Sequence, residues 1–375
     1  MRRLKSLSVA GYKSIKEDTI KLGALNVLIG GNGVGKSNWI SVFKFLREIV
    51  EGNLQLSASS SGARNLIYKG GKEVDNIIIN AVFEEPIDNG SLENSYDIKL
   101  NFTDYNIKLN VTDEDNLIFA FENVYFHRKP EYSHPIRKAL GSGHNESKLI
   151  KSSTGIANWV AHDLASYRIY HFHDTSATAS VKQPQDIEDN KVLYMDAANL
   201  APYLYWMKQK FPDHFEAIES AVRQIAPFFD KFELNPSKNN PDKIRLEWRE
   251  KGWEQNLNPH LLSDGTLRFM CLATLLLQPT LPNMVLLDEP ELGLHPAGIK
   301  QLAELLKEAA QRTQLFVATQ SVTLINQLDL ADIFVADRIN GATKLRQFTE
   351  QELSQWVDRY SIGELWEKNL IGGKP

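Results

Sequence analysis

The sequence predicts an α/β protein with a mixed central sheet, a flanking antiparallel β meander and a helical sub-domain. Three observations lead to this prediction. A glycine-rich turn at residues 30–37 lies between a short apolar run and a helix-like segment. A second apolar run ends in two acidic residues at 288–289. Between them, segments that alternate apolar and polar residues are separated by turn-forming residues, a pattern typical of antiparallel strands.

The composition is that of an ordinary globular protein. The chain has 375 residues, 42% hydrophobic and 24% charged, which suits one large domain or two ordinary ones. A formal net charge of −5 creates no overall attraction to nucleic acid, so DNA binding is possible but unsupported by charge. The single cysteine, Cys271, excludes an intramolecular disulfide and fits a reducing cytoplasm. Without a signal-peptide pattern or an 18-residue apolar run, we expect a cytoplasmic location and no membrane partner.

The glycine-rich turn reads Gly30-Gly31-Asn32-Gly33-Val34-Gly35-Lys36-Ser37 and fits the P-loop pattern G-x-x-x-x-G-K-[ST]. A strand before it and a helix after it are the context that the pattern requires. Backbone N–H groups of such a loop point at phosphate oxygens, and the helix N-terminus favours negative charge. Lys36 is expected to bind the β- and γ-phosphates, and the Ser37 hydroxyl to be a ligand of Mg²⁺. The expected ATP-binding residues of this segment are Gly30, Asn32, Gly33, Gly35, Lys36, Ser37 and Asn38.

The first half of the chain is predicted to be rich in strands. A β-hairpin over residues 3–22 leads into the P-loop strand, and the Ser-rich stretch 53–64 after the P-loop helix is predicted to be a loop. The meander is predicted to contain the strands Asp75–Phe83, Tyr96–Phe102, Tyr105–Val111 and Leu117–Tyr125.

Residues 127–157 are polar and are predicted to form an exposed or partly disordered insertion. A basic cluster in this stretch could contact an anionic partner, although a solvated loop is the favoured interpretation. The cluster consists of Arg128, Lys129, Arg137 and Lys138.

The second half begins with a short strand at 169–172, followed by a helical region from Ala197 to Phe229 that breaks at Pro212. The segments 232–234 and 244–248 are predicted to form a strand pair. An apolar helix is predicted from Leu267 to Leu277, and Ser263 before it is a natural N-cap. His171 and His173 lack the partners of a zinc site. There are no sustained heptads, so we expect no coiled-coil arm.

The second apolar run, Met284–Leu287, is followed by Asp288 and Glu289, which is the Walker B pattern. Asp288 is expected to hold Mg²⁺ through water, and Glu289 to polarise the attacking water. The alternative is a strand that simply ends in two solvated acids.

The order of these motifs carries a resemblance to a known family. After the P-loop come Leu262-Ser263-Asp264-Gly265 and then Leu287-Asp288-Glu289-Pro290-Glu291-Leu292-Gly293-Leu294-His295-Pro296. This combination resembles the bacterial AAA_21-type ATPases, within the RecF/SMC/OLD-like group of ABC-type P-loop ATPases. The resemblance covers essentially the whole chain. It extends to the triplet Tyr12-Lys13-Ser14, the segment Asp174-Thr175-Ser176 and the Trp/Gly-rich C-terminus from Gly363 onward.

The resemblance implies a site composed of two subunits, in which Ser263 and Gly265 of one chain cover the γ-phosphate held by the P-loop of the other. Asp264 departs from the family's glycine, and its side chain is expected to turn away, for example toward Arg268. Relatives commonly have a sensing histidine where this chain has Gln320, which suggests slow turnover. Lys13 is implied to reach the nucleotide, with a solvated turn lysine as the alternative.

These expectations define a hypothesis with two alternatives. The chain is predicted to be a Mg-ATP-dependent ATPase that dimerises with a second copy of itself and acts as a switch for a separate effector. The expected catalytic residues are Glu289, Gln320 and Lys36. Genome maintenance or anti-phage defence is the biological setting suggested by analogy. The alternatives are a RecF-like ATPase that binds DNA directly and a nucleotide-gated scaffold with little hydrolysis. The predicted domains are lobe I at 1–196, a helical sub-domain at 197–240 and lobe II at 241–375.

Overall fold

The computed structural model describes residues 3–87, 90–103, 116–128, 133–153, 155–357 and 359–373. The chain divides into two compact units. Unit 1 comprises residues 1–167, 330–360 and 364–375, and unit 2 comprises 168–329 and 361–363. The strands at 333–339 and 342–347 belong to the same unit as the P-loop. The predicted domain boundaries at 196 and 240 stay a prediction.

The described residues contain sixteen strands, seven of which lie before residue 142. In chain order they are β1 (Arg3–Tyr12), β2 (Ile15–Lys21), β3 (Leu25–Ile29), β4 (Asn76–Ile87), β5 (Gly90–Thr103), β6 (Asn116–Arg128), β7 (Ile136–Gly141), β8 (Arg168–Tyr170), β9 (Gln185–Asp186), β10 (Phe229–Glu233), β11 (Lys243–Ile244), β12 (Glu247–Glu250), β13 (Met284–Asp288), β14 (Gln314–Thr319), β15 (Ile333–Ile339) and β16 (Ala342–Gln347).

The α-helices are short to medium in length. They are α1 (Lys36–Val50), α2 (Leu54–Ser61), α3 (Ala63–Leu66), α4 (Gly155–Ala165), α5 (Leu200–Lys210), α6 (Pro212–Ile225), α7 (Asp264–Leu277), α8 (Pro296–Ala309), α9 (Val322–Ile325), α10 (Ser354–Val357) and α11 (Ile362–Glu367). Across the described ranges the longest is α1, with 15 residues. Over the same ranges, none of them combines the length and the apolar composition needed to cross a bilayer.

Unit 1 contains an antiparallel sheet with the strand order β2-β1-β4-β5-β6-β7. The predicted N-terminal hairpin and the meander strands at 75–83, 96–102 and 117–125 are therefore confirmed. The fourth predicted strand, Tyr105–Val111, lies outside the described residues. The P-loop strand β3 pairs in parallel with β15, which in turn pairs antiparallel with β16, so this part of the sheet is mixed as predicted.

The prediction of a loop at the Ser-rich stretch 53–64 is wrong, because this stretch forms α2 and the first half of α3. The reason is that a residue distant in the sequence caps the N-terminus of α2. The carboxylate of Glu146 accepts hydrogen bonds of 2.9 Å from the backbone N–H groups of Leu54 and Gln55, which have no partner within their own helix. A negative charge at a helix N-terminus is also favourable. A partner more than 90 residues away leaves no local signal in the sequence.

The prediction of an exposed insertion at 127–157 is also wrong in part, since β7 and the start of α4 lie there. The buried carboxylate of Glu122 organises the turn after β7. It accepts hydrogen bonds from Ser147 Oγ at 2.5 Å and from the backbone N–H of Lys148 at 2.9 Å, and it contacts His144 Nε2 at 2.8 Å. Of the basic cluster, β7 presents Arg137 and Lys138, Lys129 lies outside the described residues, and only the backbone of Arg128 is described.

Unit 2 contains the parallel strands β8, β13 and β14, with β13 paired to both of the others. Helix α7 packs against α6 and α8 and is almost entirely buried, including the thiol of Cys271. The predicted strand pair at 232–248 is corrected. The strand β10 pairs with β12, whereas Ile244 belongs to β11, which pairs with β9. The predicted helix break is confirmed, because α5 ends at Lys210 and α6 starts with Pro212 at its first position.

Candidate nucleotide site

The P-loop occupies the turn between β3 and α1 in unit 1. Gly35, the residue before the helix, has a φ of 110°, a left-handed backbone that glycine adopts without strain. A side chain at this position would also collide with Thr343, whose Oγ1 lies 2.1 Å from where a Cβ would stand. The Oγ1 of Thr343 donates a hydrogen bond of 2.6 Å to the Val34 carbonyl and contacts Ser14 Oγ at 2.7 Å. The hairpin β15–β16 therefore packs against the P-loop through Thr343.

Lys36 is buried, with 6% of its surface exposed, although it carries a charge. Its Nζ donates hydrogen bonds to the carbonyl oxygens of Gly30 at 2.7 Å and Gly31 at 3.0 Å. The ammonium is thus folded back into the loop that is predicted to bind phosphate. Asn32, Gly33 and Ser37 of the same segment are exposed to solvent.

The triplet Tyr12-Lys13-Ser14 is anchored on the first turns of α1. Lys13 has a φ of 47°, and its Nζ donates a hydrogen bond of 3.0 Å to Ser41 Oγ, which also contacts the Tyr12 hydroxyl. Burial lowers the pKa of Lys13, and the nearby charge of Lys44 lowers it further. Asn38 donates from Nδ2 to Ser14 Oγ at 2.7 Å. The triplet is therefore a support of the P-loop helix rather than a free turn, and nucleotide contact by Lys13 and Asn38 stays a prediction.

Two supports of the loop were not found by sequence reasoning. Thr343 lies in the strand β16, and Arg338, in β15, donates a hydrogen bond of 3.0 Å from Nη1 to the Gly33 carbonyl. Both are more than 300 residues from the loop they hold, and nothing in their local sequence indicates the contact.

The acid pair lies at the end of β13 in unit 2. Asp288 is the last strand residue, and Glu289 follows it with a φ of 46°, an uncommon conformation for a residue other than glycine. The backbone N–H of Glu289 donates a hydrogen bond of 2.8 Å to the Ala318 carbonyl. The side-chain Oε1 of Glu289 accepts a hydrogen bond of 2.6 Å from Gln320 Nε2. The structure thus brings together two of the predicted catalytic residues.

Glu291 is a site residue that sequence reasoning missed. It is 9% exposed, and its Oε1 accepts hydrogen bonds from Thr319 Oγ1 at 2.5 Å and from the backbone N–H of Gln320 at 3.3 Å. Among the residues that the structure describes, none hydrogen-bonds its buried second oxygen, Oε2. Burial raises the pKa of Glu291 above its ordinary value, the hydrogen bond from Thr319 opposes this, and the charge of Glu289 adds to the rise. Burial therefore favours the protonated form of Glu291 more than water does.

The segment 262–265 leads into α7 as predicted. Ser263 is the N-cap of α7, because its Oγ accepts a hydrogen bond of 3.1 Å from the backbone N–H of Thr266. Gly265 lies in the first turn of the same helix. The expected contact between Asp264 and Arg268 is wrong. The guanidinium of Arg268 instead donates hydrogen bonds to the carbonyl oxygens of Leu292 at 2.8 Å and His173 at 2.9 Å.

The cation nearest to Asp264 is instead Lys182, whose Nζ lies 4.0 Å from Oδ1. Lys182 is buried and donates a hydrogen bond of 2.6 Å to the Thr175 carbonyl. This places the segment Asp174-Thr175-Ser176, singled out in the sequence, beside the start of α7. The buried ammonium of Lys182 partly offsets the negative charge that Asp264 brings to the helix start.

Comparison with known proteins identifies the family. Residues 25–326 match the family AAA_21, described as "AAA domain, putative AbiEii toxin, Type IV TA system", and this match covers well over half of the chain. The chain belongs to the AAA_21 family of ABC-type P-loop ATPases.

Two curated relatives match shorter stretches. A protein of Methanosarcina acetivorans described as "Putative ABC transporter ATP-binding protein" is 30% identical over 128 residues, which are 32% of this chain and 46% of that protein. The energy-coupling factor transporter ATP-binding protein EcfA2 of Lactobacillus johnsonii is 26% identical over 164 residues, 41% of this chain and 54% of EcfA2. The chain spans about half the length of these curated relatives.

Two solved structures share the fold over most of the chain. An SMC head bound to the C-winged helix domain of ScpA has a TM-score of 0.54 at 16% identity, and the alignment covers 94% of this chain and 99% of that one. An SMC head with an extended coiled coil, bound to the C-terminal domain of ScpA from Pyrococcus furiosus, has a TM-score of 0.56 at 15% identity, covering 96% and 99%. The predicted ABC-type α/β fold is confirmed.

The donor atoms of this AAA_21 protein fit the Mg²⁺ that its family generally uses with ATP. Mg²⁺ prefers hard oxygen ligands, such as hydroxyl and carboxylate groups, and keeps several waters. Ser37 places an exposed hydroxyl in the first turn of α1, and Asp288 places a carboxylate at the end of β13. Ser37 is the hydroxyl donor that the P-loop pattern predicts at the start of a helix. Asp288 is the carboxylate donor that the Walker B pattern predicts at the end of a strand.

Proposed function

We propose that this AAA_21 protein hydrolyses ATP with Mg²⁺, that two copies close around two nucleotides, and that the closed state is a signal for a separate effector. The hydrogen bond between Gln320 and Glu289 is the observation that supports hydrolysis most directly. It holds one oxygen of a carboxylate in place and leaves the other to accept a proton from water. A positioned carboxylate of this kind contributes typically 10²–10⁴-fold to a rate.

The roles of the residues follow from their positions. Lys36 binds phosphate with its ammonium, and backbone N–H groups of residues 33–37 surround the phosphate oxygens. Ser37 and Asp288 would each offer an oxygen ligand to Mg²⁺, and the bound ion would supply positive charge to the transferred phosphoryl group. Glu289 takes the proton of the attacking water, and Gln320 orients Glu289. Because an amide carries no charge, Gln320 does not stabilise the developing negative charge as a protonated histidine would, and turnover is expected to be slow.

Dimerisation is proposed from the start of α7. Its first-turn N–H groups favour a phosphate, with Ser263 as the N-cap and Gly265 beside it. ABC-type relatives use this segment to cover a nucleotide held by a second chain, and we propose the same use here. A site completed by a second copy makes nucleotide binding and dimerisation one event.

The effector is the least defined part of the proposal. The SMC heads of similar fold are described as bound to ScpA, and the family description refers to a toxin and a toxin–antitoxin system. We propose by analogy that this chain also acts on a partner protein, in anti-phage defence or genome maintenance. Direct DNA binding is the alternative, supported by the exposed Arg137 and Lys138 on the edge strand β7.

Light scattering tests the proposal. In the variant Glu289→Gln, which should bind ATP without rapid hydrolysis, the mass is expected to double on addition of Mg-ATP. The matched control is Glu289→Gln combined with Lys36→Ala, which should stay monomeric because the phosphate-binding cation is missing. A Glu289→Gln protein that stays monomeric at micromolar concentration and saturating ATP would contradict the proposal.

A further inference from the structure

The last described residues of the chain, Ile371, Gly372 and Gly373, form a segment that we call the tail. The proposed function gives the tail no role, although it belongs to the Trp/Gly-rich C-terminus singled out in the sequence. In unit 1 the tail lies directly against the P-loop. The backbone N–H of Gly31 donates a hydrogen bond of 2.5 Å to the carbonyl oxygen of Gly373.

This hydrogen bond acts on the same peptide group that holds the catalytic lysine. This peptide group joins Gly30 to Gly31. Its N–H, that of Gly31, donates to the Gly373 carbonyl oxygen, and its C=O, that of Gly30, accepts a hydrogen bond of 2.7 Å from Lys36 Nζ. A peptide group is planar, so turning it to release one contact also breaks the other. The hydrogen bond made by the C=O of a peptide group also strengthens the one made by its N–H, because hydrogen bonds in a chain polarise one another. Gly373 and Lys36 therefore fix this peptide together.

The tail is held in place by close packing against β15. Gly373 has a φ of 75°, and a Cβ there would lie 2.6 Å from Val335 Cγ1 and 3.1 Å from the Ala336 carbonyl oxygen. The same carbonyl oxygen lies 2.9 Å from where a Cβ of Gly30 would stand. Three segments, namely the start of the P-loop, the strand β15 and the tail, thus meet with no room for a side chain. Ile371, only 4% exposed, anchors the tail just before this point.

We infer that the tail is a positioning element of the nucleotide site: Gly373 fixes the orientation of the peptide between Gly30 and Gly31, and through it the resting position of the Lys36 ammonium. A loop whose first peptide is already oriented loses less conformational entropy when phosphate binds, so the tail raises nucleotide affinity. The inference rests on the proposed nucleotide binding, and it adds a segment more than 330 residues away from the P-loop to that site.

The test compares three variants with the unaltered full chain. Gly373→Ala introduces a Cβ that collides with β15, and Ile371→Asn removes the apolar anchor without altering either glycine. Gly252→Ala is the matched control, because Gly252 has a similar φ of 81° but open space around it, so it carries the same backbone strain without a collision. It lies in a turn of unit 2 and is not one of the residues assigned to the site. Thermal unfolding of each variant without nucleotide establishes that the proteins are folded.

The first measurement is hydrogen exchange of a peptide that carries the Gly31 amide, in the absence of nucleotide. Exchange is expected to be about tenfold faster in Gly373→Ala and in Ile371→Asn than in the unaltered protein or Gly252→Ala, because the amide loses its acceptor. Equal exchange in all four proteins would overturn the inference. This measurement stands even if the unaltered chain binds no nucleotide, a result that would refute the proposed function instead.

The second measurement is the affinity for a fluorescent ATP analogue in the presence of Mg²⁺. The two tail variants are expected to bind about three- to tenfold more weakly, the scale of one net hydrogen bond, and Gly252→Ala to bind like the unaltered protein. Faster exchange at Gly31 with unchanged affinity would show that the tail supports the fold alone, and it would overturn its role in positioning the site.

Discussion

Gln320 Nε2 donates a hydrogen bond of 2.6 Å to Oε1 of Glu289, which joins the ends of two adjacent parallel strands, β13 and β14. The two residues come 31 positions apart in the chain, and each follows directly on its strand. Glu289 has a left-handed backbone that costs of order 1–3 kcal/mol, a conformation that the surrounding structure must hold. We therefore expect Gln320 to orient the carboxylate of Glu289.

The first prediction concerns this pair. Gln320→Ala should lower kcat for ATP hydrolysis by about 10- to 100-fold, because Glu289 loses its orientation but keeps its charge. The Kd for ATP should change little, since Lys36 and the loop are untouched. Steady-state kinetics with a separate binding measurement checks both. The exposed glutamine Gln311, changed to Ala, is the control and should behave like the unaltered protein. Equal kcat for Gln320→Ala and the control would show that the hydrogen bond has no catalytic role.

The second prediction uses the raised pKa of Glu291. A carboxyl whose folded pKa lies above its unfolded value binds more protons in the folded state, so stability falls as pH rises from the ordinary value of 4.5 toward the folded pKa. Glu291→Gln keeps an acceptor for Thr319 and cannot ionise. The difference in Tm between Glu291→Gln and the unaltered protein should therefore grow in favour of the variant as pH rises above 4.5.

Glu291→Ala is the contrasting variant. It loses the hydrogen bonds from Thr319 Oγ1 and the Gln320 N–H, so it should be destabilised at every pH by about 1–3 kcal/mol. Thermal unfolding between pH 4.5 and 8 compares all three proteins. A Tm difference between Glu291→Gln and the unaltered protein that does not change with pH would show that Glu291 has no raised pKa.

The third prediction concerns Lys36. Lys36→Met keeps the apolar stem and removes the ammonium that binds the carbonyl oxygens of Gly30 and Gly31. ATP binding in calorimetry should be lost, because no other group of the P-loop supplies a positive charge to the phosphates in the proposed site. Thermal unfolding without nucleotide should change little. An unchanged ATP affinity would remove the basis of the proposed function.

The fourth prediction concerns the departure from the family at Asp264. Its side chain is 64% exposed and lies at the limit of contact with Lys182, a pair worth about 0–1 kcal/mol at such exposure. Asp264→Gly should therefore fold normally and hydrolyse ATP at least as fast, because one negative charge near the phosphate is removed. The ATPase rate and Tm of the variant measure this. A folded but inactive Asp264→Gly protein would show that the acid has a role of its own.

The sequence predicts the parts of this protein whose signals are local. The P-loop, the Ser263 cap and the strand that ends at Asp288 depend on residues a few positions apart, and each lies where the pattern indicates. The contacts that hold these parts could not be predicted, because they join distant segments. Glu146 turns an expected loop into α2, and Thr343 and Gly373 reach the P-loop from beyond residue 340. Arg268 was assigned to the wrong partner for the same reason, since its two carbonyl acceptors are backbone atoms with no mark in the sequence.

The last prediction follows from the proposed composite site. Each site takes Lys36, Glu289 and Gln320 from one chain and Ser263 from the other. Lys36→Ala disables the first set, and Ser263→Arg places a bulky side chain at the start of α7 and blocks the second. Neither variant alone can assemble an intact site, so neither should hydrolyse ATP.

Mixing the two variants should restore activity. In a mixed dimer one site carries both changes, and the other combines the intact P-loop of the Ser263→Arg chain with the intact Ser263 of the Lys36→Ala chain. If equal amounts of the two chains pair at random, half of the dimers are mixed, and each mixed dimer has one of its two sites intact. If one intact site turns over alone, the mixture should show about a quarter of the unaltered activity, because of the two-fold symmetry of the dimer. Thermal unfolding establishes that Ser263→Arg, which loses its cap, is folded. Activity in either variant by itself would mean that one chain completes the site, and the proposed exchange of Ser263 between copies would then be wrong.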